Sequence, residues 1–260
     1  MTTSPLRVLT TLPVPTIEPF SATDTSQREG TVTLQRLEQG KLAPREDTIA
    51  VEADLIVHVQ GQPDTVLSRT PGDDLNLIVG HLFCNSMLDT PEEVANISFC
   101  YQDPARVDVS LGGKSLRRLI PSRPAVHLAP ERLFQLKETF ERRQNLFKNT
   151  GSTHAAALFS LKGQLLAFGE DVGRHNAFDK AIGRALLEGT LGQTAIAMIS
   201  SRIAVGLAAK ATTANIPVLC GFSAATSSGV NYAEKHDITL IGRLRGTSFD
   251  VYAHAWRIPE

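Results

Sequence analysis

Cysteine is scarce in this chain of 260 residues. The three that occur, Cys84, Cys100 and Cys220, form no CxxC pair and no metal-ligand cluster. An odd number of scattered thiols fits a reducing compartment. The N-terminus also lacks a charged run followed by an apolar stretch, so no secretory leader is expected and the cytoplasm is the expected location. An excess of either charge is missing too. With 26 Lys and Arg against 27 Asp and Glu, neither nucleic acid nor a membrane surface is an expected partner. No apolar run approaches the roughly 20 residues of a membrane span. A phosphate-cradling G-x-x-x-x-G-K-[ST] loop is absent, which argues against a nucleotide hydrolase or kinase. There is no internal repeat or low-complexity array. The hydrophobic content, 42%, can fill one large or two ordinary domains.

The densest information lies in GEDVGRHNAFDK, residues 169–180, which follows the apolar run LLAF. Phe178, Ala181, Ile182, Ala185 and Leu186 recur at helical spacing. Asp171 reads as the N-cap of that helix, with Arg174 and His175 in or near its first turn. Cations there oppose the helix dipole. They suit a phosphate or pyrophosphate arriving at free backbone N–H groups. A helix start whose charges are merely solvated fits the pattern as well.

The same grammar recurs. TAIAMI ends in Ser200, Ser201 and Arg202; PVLC ends in a turn containing Ser223, Thr226 and Ser227; Ile238–Ile241 ends in Arg243 and Arg245. Strands alternating with helices imply parallel β-α units. Ligands in such sheets sit beyond the carboxyl ends of the strands, which here carry four polar turns. Further upstream, the first thirty residues, rich in Thr, Ser and Pro, read as a loosely ordered arm. Glu46–Val59 and Glu92–Leu111 read as strands. RTPGDD reads as a turn whose Asp73 or Asp74 caps a helix bearing Leu75, Ile78, Val79 and Leu82. Leu133–Phe147 reads as one amphipathic helix. The expected organisation is an arm over 1–30, a mixed α+β domain over 31–129 and an α/β domain over 130–260.

GSTHAAAL, GEDVGRHNAFDKAIG, SSRI and LIGRLRGTSFDVY, together with RTPGDDLNLIVGHLF, resemble the FdhD/NarQ family in the right order over about Glu46 to His254. The resemblance implies a cytoplasmic accessory factor that passes sulfur from a cysteine desulfurase to bis-molybdopterin guanine dinucleotide before that cofactor enters apo-formate dehydrogenase. It implies binding of GDP or another guanine nucleotide. It also implies a cytidine-deaminase-like α/β/α domain at the C-terminal end, and an exposed sheet edge able to pair into a homodimer. The ligand-contacting residues would be Thr153, His154, Glu170, Asp171, Arg174, His175, Ser201 and Arg202. The loop Arg243, Leu244, Arg245, Gly246, Thr247 and Ser248 would join them. Lys180 and Lys210 are weaker candidates that fit surface lysines equally, and Tyr252 could stack on a ring or pack in the core.

One departure from the family outweighs the agreements. The sulfur-carrying CxxC pair belongs between about Lys114 and Leu133, where this chain has no cysteine. Sulfur relay needs a thiolate, and Cys84, next to the RTPGDD helix, is the cysteine with most in its favour. Ser152, Ser201 and Ala225 stand where the family has Gly, Gly and Pro. Deaminase chemistry would need H-x-E and P-C-x-x-C. His154 is instead followed by Ala155 and Ala156, so no catalytic zinc is expected. Glu170 and Asp171, being adjacent, point apart and suit a helix start better than a metal. Two readings remain: a sulfur carrier, or a chaperone that holds the cofactor without sulfur chemistry. Whether the chain is an enzyme stays open.

Overall fold

The computed structural model describes residues 27–100, 103, 105–113 and 126–259. Most of the expected arm (1–26) and the first part, 114–125, of the stretch from about Lys114 to Leu133 where the resemblance implies a CxxC pair fall outside the described residues. Among the described residues no helix is long and apolar enough to cross a membrane.

Strands β1 (Glu29–Glu38) and β2 (Lys41–Ala50) form an antiparallel ribbon. Its two-residue turn, Gln39 and Gly40, has positive φ at both positions (50° and 78°), the geometry that matches the twist of a hairpin. The ribbon was not foreseen over 31–45, because alternation is confined to a short stretch of β1 around Val32 and Leu34 and β2 is exposed over most of its length. A second sheet follows, formed by β3 (Ala53–Val59), β4 (Thr65–Arg69), β5 (Val94–Phe99) and β6 (Arg106–Leu111) in the order β4-β3-β6-β5. Helix α1 (Asp74–Cys84) covers one face, placing Leu77, Ile78 and Leu82 on Leu55, Val57, Leu67, Val107 and Val109. The helix start differs from expectation. Asp73 holds the N-cap position in a left-handed conformation with no side-chain cap, and pairs with Arg184 at 2.9 Å. Asp74 pairs with Arg69 at 2.9 Å.

The remaining chain gives α2 (Pro130–Arg143), α3 (Asn145–Thr150), β7 (His154–Ser160), β8 (Leu165–Asp171), α4 (Arg174–Leu187), β9 (Thr194–Ile199), α5 (Val205–Thr213), β10 (Val218–Gly221), α6 (Ser227–Lys235), β11 (Thr239–Arg245) and β12 (Ser248–Ala253). The six-stranded sheet has the order β12-β11-β10-β9-β7-β8. Strands β9, β10 and β11 are parallel, as the β-α grammar predicts. Strand β7 runs against both β8 and β9. The carboxyl ends of β8, β9, β10 and β11 therefore share one edge with the start of β7. Helices cover both faces: α4 and α5 contribute Phe178, Ile182 and Leu207 to one apolar layer, and α2 contributes Leu133, Leu136 and Phe140 to the other. The single helix expected over 133–147 is broken at Gln144, whose backbone (φ −74°, ψ 65°) leaves the helical region.

The two larger sheets meet through α1 and α4, which cross at backbone contact. A Cβ on Gly80 would stand 1.9 Å from the Asp179 carbonyl oxygen, and one on Gly183 would stand 1.9 Å from that of Asn76. Glycine inside a helix ordinarily weakens it by about 1 kcal/mol against alanine. Here the close approach reverses the sign. Gly80→Ala and Gly183→Ala are each expected to destabilise the protein by about 1–3 kcal/mol through overpacking, read as a lowered urea or thermal midpoint. A midpoint unchanged or raised would mean that the helices do not touch this way.

Candidate functional site

The sheet edge gathers most of the residues singled out from the sequence, in three distinct environments. At its centre lies a cleft of about 410 Å³ lined by Glu141, Gln144, Phe147, Gly151, Ser152, Thr153, His154, Ser200 and Phe222. Its wall and floor come from one continuous stretch, the α2–α3 elbow running into β7. Ser200, at the end of β9, accepts the Ala155 N–H at 3.0 Å, and its Oγ lies 3.1 Å from His154 Nδ1. Burial and the positive charge of Arg174 hold the His154 pKa below its ordinary value, so near neutral pH the ring is uncharged and offers one donor and one acceptor. Thr153 is only 4% exposed, and its Oγ1 is buried without a hydrogen-bond partner. Such a group costs about 1–3 kcal/mol when left unmade. Thr153 lies among the residues that line the cleft.

Glu170 and Asp171 serve the scaffold instead. Both are buried. The Glu170 carboxylate accepts the Leu146 and Phe147 N–H groups at 3.2 and 3.1 Å, at the start of α3. Burial raises its pKa, and these amides oppose the rise. The expected N-cap role of Asp171 is not what the structure shows, since Gly173 holds that position without a side-chain cap. Asp171 accepts the Gly173 N–H (2.8 Å), the Thr70 N–H (3.1 Å) and the Asn176 amide (3.1 Å), and pairs with Lys180 at 2.8 Å. Lys180 is thus no surface lysine. It is 1% exposed and donates to the Thr70 carbonyl at 2.8 Å. Val172 N–H meets Thr70 Oγ1, and Asn176 reaches the Ser68 carbonyl. RTPGDD and GEDVGRHNAFDK are two sides of one joint.

The third environment is a cationic rim. Arg174, partly buried, bears on His154 and His175 electrostatically. Arg202 and Arg245 are exposed, and Ser201 is buried with its hydroxyl on the Arg202 carbonyl. Arg243, at φ 50°, pairs with Asp250 at 3.1 Å, while Gly246, Thr247 and Ser248 form the exposed β11–β12 turn and Leu244 is fully buried. Leu244 therefore packs in the core rather than against a ligand. His175 lies against Gly206, where a Cβ would come within 2.9 Å of the ring. Burial, Lys210 and Arg174 lower its pKa. Lys210 pairs with Asp179. Tyr252 packs over Gly242. Sequence reasoning missed Glu141, Gln144, Phe147 and Phe222; the i, i+3 spacing of the first three along the α2–α3 segment was the available signal.

The cysteines are poorly placed as nucleophiles. Burial and the Asp179 carboxylate push the Cys84 thiol well up, contrary to what an activated thiolate needs. Cys220 is fully buried and shifted the same way, and Cys100 is half-buried. The expectation that Cys84 is the reactive thiol is not supported by these surroundings.

A family model described as the FdhD/NarQ family matches residues 112–259. The chain is 36% identical to the sulfur carrier protein FdhD of Streptomyces avermitilis over 86% of its own length and 93% of that protein's. It is 35% identical to the protein of the same name from Sulfurisphaera tokodaii over 82% and 95%. A crystal structure of a candidate formate dehydrogenase accessory protein from Desulfotalea psychrophila shares the fold, with a TM-score of 0.78, 21% identity, and coverage of 90% of this chain and 100% of that one.

Two outcomes follow from the geometry of the joint and cleft. Lys180→Met strands Asp171 as an unpaired buried charge and is expected to lower unfolding free energy by about 3–5 kcal/mol, with part recovered on adding Asp171→Asn. A loss below 1 kcal/mol would remove the pair from the joint. For His154 and His175 the folded-state pKa values are lowered, so below about pH 6.5 the unfolded chain binds more protons at these positions and stability falls with acidification. Between pH 7 and 5 the unaltered protein should lose more stability than the His154→Gln/His175→Gln double variant. Equal losses would mean that neither ring is held neutral.

Proposed function

The chain belongs to the FdhD/NarQ family, and from that membership and the prepared cleft we propose that it is a formate dehydrogenase accessory protein that binds bis-molybdopterin guanine dinucleotide at this sheet edge. The orphaned Thr153 hydroxyl carries the reading. The donor set fits the ligand class. Thr153, Ser200 and the neutral His154 supply hydrogen bonds, Phe147 and Phe222 supply faces for a planar ring, and Arg174, Arg202, Arg243 and Arg245 supply positive charge for phosphates. A cleft of about 410 Å³ is of single-ligand size. It would take one guanine nucleotide arm, leaving the rest of the cofactor along the arginine rim. When bound, the cofactor supplies the acceptor for sulfur. The work of these residues is to bind it, orient it and limit its exposure to water.

In the main reading the chain carries sulfur as its relatives' name states, working in the cytoplasm between a cysteine desulfurase and apo-formate dehydrogenase. The helix-on-both-faces sheet is compatible with a deaminase-like domain, and its β12 edge with pairing of two copies. A second reading keeps the cofactor and drops the sulfur step. It is favoured by the cysteines, since the family's CxxC pair is absent and the environments of Cys84 and Cys220 raise their thiol pKa values.

Thr153→Val separates ligand binding from folding. Stability of the free protein should hold or rise, because an unsatisfied hydroxyl is removed. Affinity for GDP, measured by calorimetry, should fall roughly threefold to tenfold, the worth of one hydrogen bond. Absence of GDP binding by the unaltered protein would overturn the nucleotide assignment. Incubation with a cysteine desulfurase and cysteine, followed by mass spectrometry of alkylated protein, decides between the two readings. A persulfide on one cysteine, lost on its change to Ser, supports the carrier; no added sulfur supports the chaperone.

A further inference from the structure

The cleft wall is not held by its own helix. Segment α3 has six residues, too short to persist alone, and the chain enters it from the break at Gln144 with no side-chain cap. Yet this segment and its break place Gln144 and Phe147 at the cleft. The first N–H groups of a helix need acceptors. Here they come from across the fold, as Glu170 directs one carboxylate oxygen to Leu146 N–H and the other to Phe147 N–H. Glu170 stands opposite Ala155 in the β7–β8 register, one residue from His154. The same carboxylate thus links β8, the strand paired with the one that presents His154, to the helix that presents Phe147. Around it, Arg28 reaches the Glu170 carbonyl at 3.4 Å, and Lys180 reaches the same oxygen at 3.4 Å. The backbone of Glu170 is therefore fixed from the side of the joint while its side chain fixes the wall.

We infer that Glu170 is a positioning residue, whose carboxylate anchors the start of α3 and thereby holds Gln144 and Phe147 in the wall of the ligand cleft. This rests on the reading of the cleft as a nucleotide site. Glutamine in its place keeps the shape but offers one acceptor oxygen to two N–H groups and turns an NH₂ group toward the other. The wall loosens while the sheet, whose strand pairing does not use the side chain, stays formed.

Glu170→Gln should raise the hydrogen-exchange rates of the Leu146 and Phe147 amides at least tenfold relative to core amides of β9, and should weaken GDP binding by about tenfold. A second measurement needs no variant. Coupling between wall and ligand is reciprocal, so saturating GDP should slow exchange of the same two amides in the unaltered protein. GDP bound by the unaltered protein with no change in either amide, or bound equally well by a folded Glu170→Gln variant, overturns the positioning role. No GDP binding at all by the unaltered protein would instead overturn the nucleotide reading on which it rests.

Discussion

Everything in this molecule is arranged around a buried carboxylate that has no access to water. Asp171 is fully covered, and its charge is tolerated because Lys180, two backbone N–H groups and the Asn176 amide converge on it. Several kcal/mol of desolvation stand against such a pair unless every remaining hydrogen-bonding position is filled. Filling them requires Thr70, which belongs to the other large sheet. The two halves of the chain must therefore dock for either to be satisfied. The glycine-mediated approach of α1 to α4 permits the docking distance. Polar satisfaction and steric clearance are two conditions on one joint, and neither works without the other.

The cleft at the sheet edge takes part of its geometry from residues adjoining this joint. Successive residues of a strand point to opposite sides. At the end of β8 the dipeptide Glu170–Asp171 uses that alternation, with one carboxylate reaching the α3 start and the other reaching Thr70. Charged residues that resemble ligand contacts on paper are thereby consumed as framework. The cations left for a ligand, Arg174, Arg202 and Arg245, stand outside it. The division is chemically sensible, because buried carboxylates facing a phosphate would repel it, whereas here their charge is turned inward and neutralised.

Much of the C-terminal half was legible beforehand. Apolar runs of strand length followed by helical periodicity placed β9, α5, β10, α6 and β11, and the rule for carboxyl ends pointed to the edge where the cleft lies. The misreadings have physical causes. Asp171 looks like a helix cap because Asp commonly caps, but one of its partners, Thr70, lies 101 residues away and also ties down Val172 and Lys180, at separations of 102 and 110 along the chain. Local pattern carries no trace of such contacts. Lys180 looked solvated because lysine nearly always is. The role of Gly80 and Gly183 has no local signature, since a close crossing is visible only from the partner helix. The elbow at Gln144 has no local signature because the helical period continues through it, and the carboxylate that receives the amides just after it, Glu170, lies elsewhere in the chain. The β1–β2 ribbon is hard to read because its apolar residues are few and β2 is exposed over most of its length.

The spacing of the joint along the chain also has a consequence in time. The face of α1 that carries Gly80 is completed only by residues about a hundred positions downstream. At about 5–20 residues per second of synthesis, that face waits roughly 5–20 s on the ribosome before its partner emerges. During that interval α1 already covers the first large sheet, but its Gly80 face is without α4. The joint is then a condition on synthesis as well as on architecture: a chain truncated before Lys180 would leave that face of α1 incompletely covered and Asp171 without its ion pair.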